Sequence, residues 1–257
     1  MLKKEHLIHI RDLKFALKAD SMSDADFKTY VSGLNSFIDG FPAQADKLRG
    51  AIGKKDAVAL ARILSEICDV LRRILALDIA QEGRGAITKF QSGNVDFDSA
   101  EIFVEQFISR ISSLSIDIQM AEHAKPRSAA PARPAAKSHS KARIFAVDNA
   151  VMYLNTLQKL LQDHPYELNC TTSCTEALQY LQTNRPDIIL LDIEMPEMNG
   201  YELARRIKQA GQRAPIVFIT ANSAREYVDK AVAVGAAGLL MKPLRVNQLL
   251  AKLEEFV

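Results

Sequence analysis

Tryptophan is absent from the 257 residues of this chain, and cysteine is rare, with Cys68, Cys170 and Cys174 as its three occurrences. An odd number of cysteines without a neighbouring cluster of His and Cys argues against a disulfide framework and against a zinc site. We therefore expect free thiols and a cytoplasmic protein. No apolar run approaches the roughly 20 residues that span a bilayer, and none follows the polar N-terminus, so we predict no membrane span and no signal peptide.

A strong excess of basic charge is also missing from both halves of the chain. Residues 1–123 carry 16 basic and 18 acidic residues, a net charge of −2, and residues 142–257 carry 12 and 13, a net charge of −1. The five basic residues of the segment 124–141, which has no acidic residue, account for the positive total. Neither half has the charge of a nucleic-acid-binding domain, so we expect no contact with DNA.

The segment 124–141 is rich in Ala, Pro and Ser and contains no large apolar side chain. Such a segment cannot bury enough surface to offset the entropy lost on ordering, so we predict a basic linker. The linker divides the chain into an N-terminal domain, residues 1–123, and a C-terminal domain, residues 142–257. Contact of its spread charges with an acidic partner or a membrane surface is the weaker interpretation.

Apolar residues recur at helical spacing before the linker. We predict helices over residues 25–40, 44–52 and 56–77 and from Asp98 onward, with an interruption at Gly83-Arg84-Gly85. The first 18 residues are basic and amphipathic, which favours a packed terminal helix over an arm that binds a partner. Several amphipathic helices with short connections predict an all-α antiparallel bundle.

Short apolar strands alternate with amphipathic helices after the linker. We predict strands over residues 143–147, 168–171, 187–191, 216–219 and 238–241, each followed by a helix, over residues 151–161, 175–182, 200–209, 223–234 and 246–256. Strands this apolar are buried on both faces, which is typical of a parallel sheet covered by helices. The C-terminal half is therefore predicted to be an α/β doubly wound five-stranded parallel sheet.

Four of these strands end on a polar residue: Asp148, Asp192, Thr220 and Lys242. Ligands of open parallel sheets bind beyond the carboxyl ends of the strands, so these side chains should converge there. Two carboxylates suit a hard divalent cation such as Mg²⁺, and a hydroxyl and an ammonium suit the oxygens of a phosphoryl group. The set predicts an aspartate that accepts a phosphoryl group.

The segments around these residues resemble, in order, the motifs of the receiver domain of two-component response regulators. The resemblance rests on Ile144 to Asn149, on Asp192 to Gly200 (DIEMPEMNG), on Thr220-Ala221 and on Met241 to Leu244 (MKPL). It covers residues 142–257. It implies the flavodoxin-like strand order 2-1-3-4-5 and a cis peptide bond between Lys242 and Pro243.

The resemblance also implies a role for each site residue. Asp192 accepts the phosphoryl group, and Asp148, Asp192 and the backbone carbonyl of Glu194 hold Mg²⁺. Thr220 hydrogen-bonds a phosphoryl oxygen, and Lys242 pairs with the phosphoryl group. The implied phosphodonor is a histidine kinase or a phosphotransfer protein.

Two positions depart from the family pattern. Asn149 stands where the family usually has a second acid that contacts the metal, so it is the weakest candidate ligand, and we expect weaker binding of Mg²⁺. Leu239 stands where the family often has the aromatic residue of its conformational switch, although phosphorylation does not require that residue. Glu194 and Asn222 occupy the two positions that modulate hydrolysis of the acyl phosphate in the family.

Residues 56–82 have a second resemblance, to the central hairpin of a histidine phosphotransfer domain. Ser65 stands at the position of the phosphorylated His, and Cys68-Asp69 replace the Lys-Gly pair of that family. The resemblance implies a degenerate domain that cannot relay phosphate but could dock on a receiver or a kinase. An unrelated four-helix bundle remains the alternative.

We expect a response regulator without a DNA-binding output, because no DNA-binding or cyclase motif follows the fifth βα unit. Its receiver would contact an unknown downstream protein through the face formed by residues 224–234, 238–241 and 246–256. A phosphorylation-independent adaptor is the alternative. We expect no separate enzyme activity, since Glu66 and Asp69, the best candidates for a phosphatase, are better explained as a solvated helix face. Monomer and homodimer both stay open.

Overall fold

The computed structural model describes residues 2–92, 95–123 and 141–256. They form two compact units, one on each side of the predicted linker, and each unit is described by itself. The linker prediction, residues 124–141, lies outside the described residues except for Lys141. No described helix combines the length and the apolar character that crossing a membrane requires.

The N-terminal unit is built from helices, as predicted. They are α1 (Lys4–Leu7), α2 (Asp24–Gly53), α3 (Ala57–Arg73), α4 (Leu77–Gln91) and α5 (Phe97–His123), with a 3₁₀ turn at Phe15–Leu17. Ser23 and Asp56 are the N-caps of α2 and α3, and the Asp56 side chain accepts a hydrogen bond of 2.9 Å from the backbone N–H of Ala59. The short connections between α2, α3 and α4 make neighbouring helices antiparallel.

The sequence-based boundaries were wrong where they treated Pro42 and Gly83 as breaks. A single helix, α2, runs through Pro42, because the apolar stripe of Phe37, Phe41 and Leu48 stays buried on both sides of the proline. This tertiary packing offsets the hydrogen bond that proline removes. In contrast, the predicted helix 56–77 ends early, at Arg73, because Leu75 adopts a left-handed conformation with φ of 64°.

Gly83 lies inside α4, where it permits close packing of three helices. A Cβ atom at this position would collide with the Sγ atom of Cys68 on α3 and would lie 2.9 Å from Cζ of Phe107 on α5. Cys68 and Phe107 are both buried. Glycine is therefore a packing residue here, and its helix-breaking tendency is overcome by burial of the surrounding apolar side chains.

Residues 2–18 pack against the bundle, but as short pieces and not as one helix. Leu7 and Phe15 are fully buried, and the Phe15 ring stacks on the Tyr30 ring with centroids 5.2 Å apart. Arg110 of α5 donates to Asp12 at 3.0 Å and to Glu82 at 2.5 Å, which joins this segment to α4 and α5. Residues 2–18 are therefore packed on the bundle and are not a free arm that binds a partner.

Ser65, the position that would carry the phosphorylated His of a phosphotransfer domain, is exposed on α3. On the same helix Glu66 pairs with Arg62 at 3.0 Å, and Asp69 pairs with Arg72. These ion pairs agree with a solvated helix face. The resemblance of the bundle to a phosphotransfer domain stays a prediction.

The C-terminal unit is the predicted five-stranded parallel sheet with helices on both faces. Its strands are β1 (Ala142–Val147), β2 (Tyr166–Thr171), β3 (Ile188–Asp192), β4 (Ile216–Thr220) and β5 (Gly238–Met241). Its helices are α6 (Val151–Leu161), α7 (Cys174–Thr183), α8 (Gly200–Gln209), α9 (Arg225–Ala233) and α10 (Val246–Glu254). The strand order β2-β1-β3-β4-β5 confirms the expected topology, and every residue of β3, β4 and β5 is buried.

Replacing Gly83 by Ala should destabilise the N-terminal unit by about 1–3 kcal/mol, because the new Cβ must displace Cys68 or Phe107 in a packed core. Gly85 provides the matched control, since it lies in the same helix and a Cβ there would meet no atom within 4 Å. Gly85→Ala should be neutral or stabilise the unit by up to about 1 kcal/mol through helix propensity. Urea unfolding followed by circular dichroism measures both changes. A Gly83→Ala protein as stable as Gly85→Ala would contradict the packing role.

Candidate functional site

The register of the sheet brings the four predicted polar residues to one edge. In this register Val147 pairs with Leu191 and Asp192 pairs with Ile219, so Asp148, Asp192 and Thr220 leave three adjacent strands at the same level. Thr220 pairs in turn with Met241, which precedes Lys242. Asp148, Asp192 and Thr220 are 2%, 3% and 1% exposed. A cluster of buried polar groups therefore lies at the carboxyl edge.

Lys242 joins the two carboxylates. Its Nζ atom lies 2.7 Å from Oδ2 of Asp148 and 2.8 Å from Oδ1 of Asp192, and its side chain is 10% exposed. Burial by itself lowers the pKa of Lys242, but the hydrogen bonds and charges of the two aspartates outweigh it and hold that pKa above its usual value. Lys242 thus carries a positive charge between Asp148 and Asp192, at the carboxyl ends of β1 and β3.

The carboxylates outnumber the ammonium group, and the pKa of Asp192 reflects this. Burial raises the pKa of Asp192, Lys242 opposes the rise, and the charges of Asp148 and Glu194 add to it, so the pKa lies above the usual range for an aspartate. Asp192 is therefore a carboxylate whose negative charge is incompletely compensated. An additional cation in the site would stabilise its ionised form.

The loop after Asp192 is held by its own backbone. The N–H of Gly200 donates to the carbonyl of Ile193 at 2.9 Å, and the Asn199 side chain caps α8 by accepting from the N–H of Glu202 at 3.0 Å. A Cβ atom at Gly200 would collide with the carbonyl oxygen of Asp192. Glycine is required at this position because the first residue of α8 lies against the backbone of Asp192.

Thr220 is bound to the next loop. Its Oγ1 accepts from the N–H of Asn222 at 3.0 Å and donates to the carbonyl of the same residue at 3.2 Å. The Asn222 side chain in turn accepts from the N–H of Ala224, the N-cap residue of α9, at 2.8 Å. A movement of the Thr220 hydroxyl would therefore change the turn from which α9 begins.

The two residues that depart from the family pattern, Asn149 and Leu239, differ in their exposure. Asn149 is exposed and follows Asp148 at the mouth of the site. Leu239 is 3% exposed within β5. The cis peptide bond between Lys242 and Pro243 is present, as expected.

Two tyrosines that the sequence did not single out contact residues of the site. The Lys242 Nζ atom lies 3.9 Å from the centroid of the Tyr153 ring on α6, and the Tyr227 hydroxyl on α9 donates to the Glu194 carboxylate at 3.3 Å. The sequence could have pointed to Tyr153, because this residue lies in the first turn of the helix that follows Asp148. The sequence carried no comparable signal for Tyr227, whose contact depends on how the β4–α9 connection folds.

The site fits a magnesium ion by its donor chemistry. The described residues contain no group of three or more His, Cys, Asp or Glu side chains arranged to hold a metal. The available set is two buried carboxylates, Asp148 and Asp192, with the backbone carbonyl of Glu194 nearby in the chain. Mg²⁺ is commonly bound by one or two carboxylates together with water and phosphate oxygens.

Replacing Asp192 by Asn should make the C-terminal unit more stable at neutral pH. The pKa of Asp192 is raised in the folded protein, so the folded state holds this proton more tightly than the unfolded state does. Stability is therefore lost as the pH rises from the ordinary pKa of an aspartate through the raised one, and an uncharged Asn avoids that loss. The midpoint of urea unfolding should increase.

Lys242→Met should have the opposite effect on stability in the same experiment. It leaves Asp148 and Asp192 buried without their cation and should cost about 3–5 kcal/mol. A midpoint for Asp192→Asn at or below that of the wild-type protein would contradict the electrostatic interpretation of the site.

Comparison with known proteins identifies a known domain in the C-terminal half of the chain. A family model described as the response regulator receiver domain matches residues 144–254. The transcriptional regulatory protein DltR of Streptococcus agalactiae is 30% identical over 111 residues, which cover 43% of this chain and 50% of DltR. The sensor histidine kinase RcsC of Salmonella typhi is 30% identical over 142 residues, which cover 55% of this chain and 15% of RcsC.

Among solved structures, the chemotaxis protein CheY4 of Vibrio cholerae is 32% identical, with a TM-score of 0.44, over 45% of this chain and 98% of CheY4. The chain spans half or less of the length of the two curated relatives. Residues 144–254 of this chain thus match the response regulator receiver domain of two-component signalling.

Proposed function

We propose that this protein is a cytoplasmic two-component response regulator without DNA-binding output. A histidine kinase or a phosphotransfer protein phosphorylates Asp192, and the phosphorylated receiver binds a downstream protein. One observation carries the proposal: the buried Asp192 carboxylate lies 2.8 Å from the Lys242 ammonium and shares that ammonium with Asp148. A carboxylate nucleophile beside a fixed cation is the arrangement that phosphoryl transfer requires.

The transfer step is a displacement at phosphorus. An oxygen of the Asp192 carboxylate attacks the phosphorus of a phosphohistidine, the new O–P bond forms, and the N–P bond breaks. The imidazole leaves with the electron pair of that bond and takes up a proton. Lys242 is placed to neutralise the phosphoryl oxygens. Asp148, Asp192 and the Glu194 carbonyl would hold Mg²⁺, which supplies further neutralisation of the transferring group when it is bound.

The phosphoryl group would change the site through Thr220. An anionic phosphoryl oxygen is a stronger acceptor than the Asn222 carbonyl that Thr220 now contacts at 3.2 Å. Drawing the hydroxyl toward the phosphoryl group would loosen the turn that leads into α9. Helix α9, strand β5 and helix α10 together form the surface through which we propose that the downstream protein is bound.

Two tyrosines offer a connection from the phosphoacceptor loop to α9 that does not need an aromatic residue at position 239. The Tyr227 hydroxyl on α9 donates to Glu194, two residues after Asp192. The buried Tyr201 of α8 donates from its hydroxyl to the carbonyl of Tyr227 at 3.0 Å. A change in the loop would therefore reach α9 directly.

The charges of the chain support an output through protein binding. Residues 142–257 carry a net charge of −1 and residues 1–123 a net charge of −2, and such domains attract the phosphate backbone of DNA poorly. The relative DltR is named a transcriptional regulator, but its match covers only half of its own length.

A phosphorylation-independent adaptor is the competing proposal, and Asn149, Leu239 and Ser65 motivate it. The intact cluster of Asp148, Asp192, Thr220 and Lys242 favours a working receiver instead, because an adaptor has no use for two buried carboxylates around one lysine. The two proposals differ in a single measurable property, the labelling of Asp192.

The wild-type protein should gain one phosphoryl group when it is incubated with acetyl phosphate and Mg²⁺, as measured by intact-protein mass spectrometry. Asp192→Asn should gain none, because it removes the nucleophilic carboxylate. Asp187→Asn is a matched control at the other end of β3 and should be labelled like the wild type. Absence of labelling in the wild type at saturating Mg²⁺ would refute the proposal and favour the adaptor.

Replacing Asn149 by Asp should lower the Mg²⁺ concentration at half-maximal labelling by roughly tenfold, because a second ligand charge strengthens a hard-cation site. Asn155→Asp adds the same charge at an exposed position of α6 and serves as the control. If the two variants have the same effect, the gain reflects general charge and Asn149 does not face the metal.

A further inference from the structure

We propose that Tyr153 is a positioning residue for Lys242: its ring holds the ammonium group in the orientation from which it assists phosphoryl transfer to Asp192. The inference rests on the proposed phosphorylation of Asp192. It assigns a role to a side chain that lies outside the set of aspartates, threonine and lysine discussed so far.

The Lys242 ammonium group can have several partners at once. A lysine ammonium carries three N–H donors and no acceptor. Two carboxylate oxygens, one from Asp148 and one from Asp192, lie 2.7 Å and 2.8 Å from Nζ. The Tyr153 ring, with its centroid 3.9 Å from Nζ, occupies a further side of the same atom. The cation is thus held between two carboxylates and an aromatic face.

The face of an aromatic ring is the negative side of its quadrupole, and a cation within about 6 Å of the centroid is attracted to it. The attraction is stronger in a site that is shielded from water, and the Lys242 side chain is 10% exposed. The ring also covers part of the ammonium that water would otherwise solvate. A flexible four-carbon stem is in this way confined to one position.

The ring is itself held by a rigid element. Tyr153 is half-buried in the first turn of α6, and the neighbouring Leu154 and Leu157 are buried in the core beneath the sheet edge. The position of the ring is therefore fixed by the packing of α6. Lysine, ring and both carboxylates form a preorganised group that needs little rearrangement when charge moves onto the phosphoryl oxygens.

This geometry predicts an effect on the rate of transfer and not on the binding of the donor. Tyr153 makes no bond in the displacement, and its contact is with the lysine. Loss of the ring would leave the ammonium free to adopt other orientations and to be solvated, so fewer molecules would be poised for transfer. The limiting rate should fall while the half-saturating donor concentration stays nearly constant.

The experiment measures the rate of labelling by acetyl phosphate, at saturating Mg²⁺, as a function of donor concentration in the full chain. Tyr153→Leu removes the ring, whereas Tyr153→Phe keeps it and removes only the hydroxyl. Tyr180→Leu is the matched control, because Tyr180 is also half-buried in this unit but stacks on Phe145, with ring centroids 4.4 Å apart. Thermal unfolding of each variant tests for a loss of folded protein.

The limiting rate of Tyr153→Leu should fall by roughly five- to thirtyfold, and that of Tyr153→Phe should stay within roughly twofold of the wild type. Tyr180→Leu should be labelled like the wild type. A wild-type rate for Tyr153→Leu, an equal loss in Tyr153→Phe, or an equal loss in Tyr180→Leu would each overturn the inference. If the wild type itself is not labelled, the proposed function fails and the inference fails with it; normal labelling of both wild type and Tyr153→Leu refutes the inference alone.

Discussion

The contact of the Lys242 ammonium with Asp148 and Asp192 sets the charge balance at the carboxyl edge of the sheet. Two carboxylates that are removed from water repel each other, and each is costly to bury in its charged form. Lys242, at 2.7 Å and 2.8 Å from them, compensates for part of that cost. The compensation is incomplete, since the pKa of Asp192 stays above its usual value. The remaining negative charge is what a metal cation can neutralise.

The surrounding elements position this contact. Strands β1 and β3 are neighbours in the parallel sheet, so their carboxyl ends present Asp148 and Asp192 side by side. Gly200 allows α8 to begin against the backbone of Asp192, and the Tyr153 ring of α6 lies over the lysine. The two aspartates are thus positioned by the strands and by α8, and the lysine is positioned by the ring on α6. Under the proposed function, a site supported in this way is preorganised for the charge that develops on the phosphoryl group.

The N-terminal bundle has a different organisation, based on apolar packing with few buried charges. Gly83 lets α4 pack closely against α3 and α5, and Arg110 joins Asp12 to Glu82. Ser65, which the predicted resemblance to a phosphotransfer domain aligns with the phosphorylated His, is exposed on α3. Apolar packing thus organises the bundle, whereas the buried carboxylates of Asp148 and Asp192 lie in the C-terminal unit.

Local patterns were sufficient for much of this description. Apolar runs predicted four of the five strands, the exception being residues 168–171. The polar residues at the ends of those four strands predicted the site, because a parallel sheet places all carboxyl ends at one edge. The sequence was misleading at Pro42 and Gly83. Both residues weaken an isolated helix, yet burial of the apolar stripe around Phe41 and the close approach of Cys68 and Phe107 keep α2 and α4 continuous.

The sequence by itself determined the fold class of the C-terminal half, the identity of the four polar residues at its edge and the two departures at Asn149 and Leu239. The fold class and the four polar residues follow from spacing along the chain, which covalent geometry translates directly into position, whereas the two departures follow from the resemblance to the receiver family. Only the tertiary structure decided which aromatic rings serve the site. Tyr153 reaches Lys242, 89 positions later in the chain, through the packing of α6 against the sheet, and Tyr227 reaches Glu194 through the fold of a loop. No local pattern encodes such contacts, because they depend on how separate elements pack.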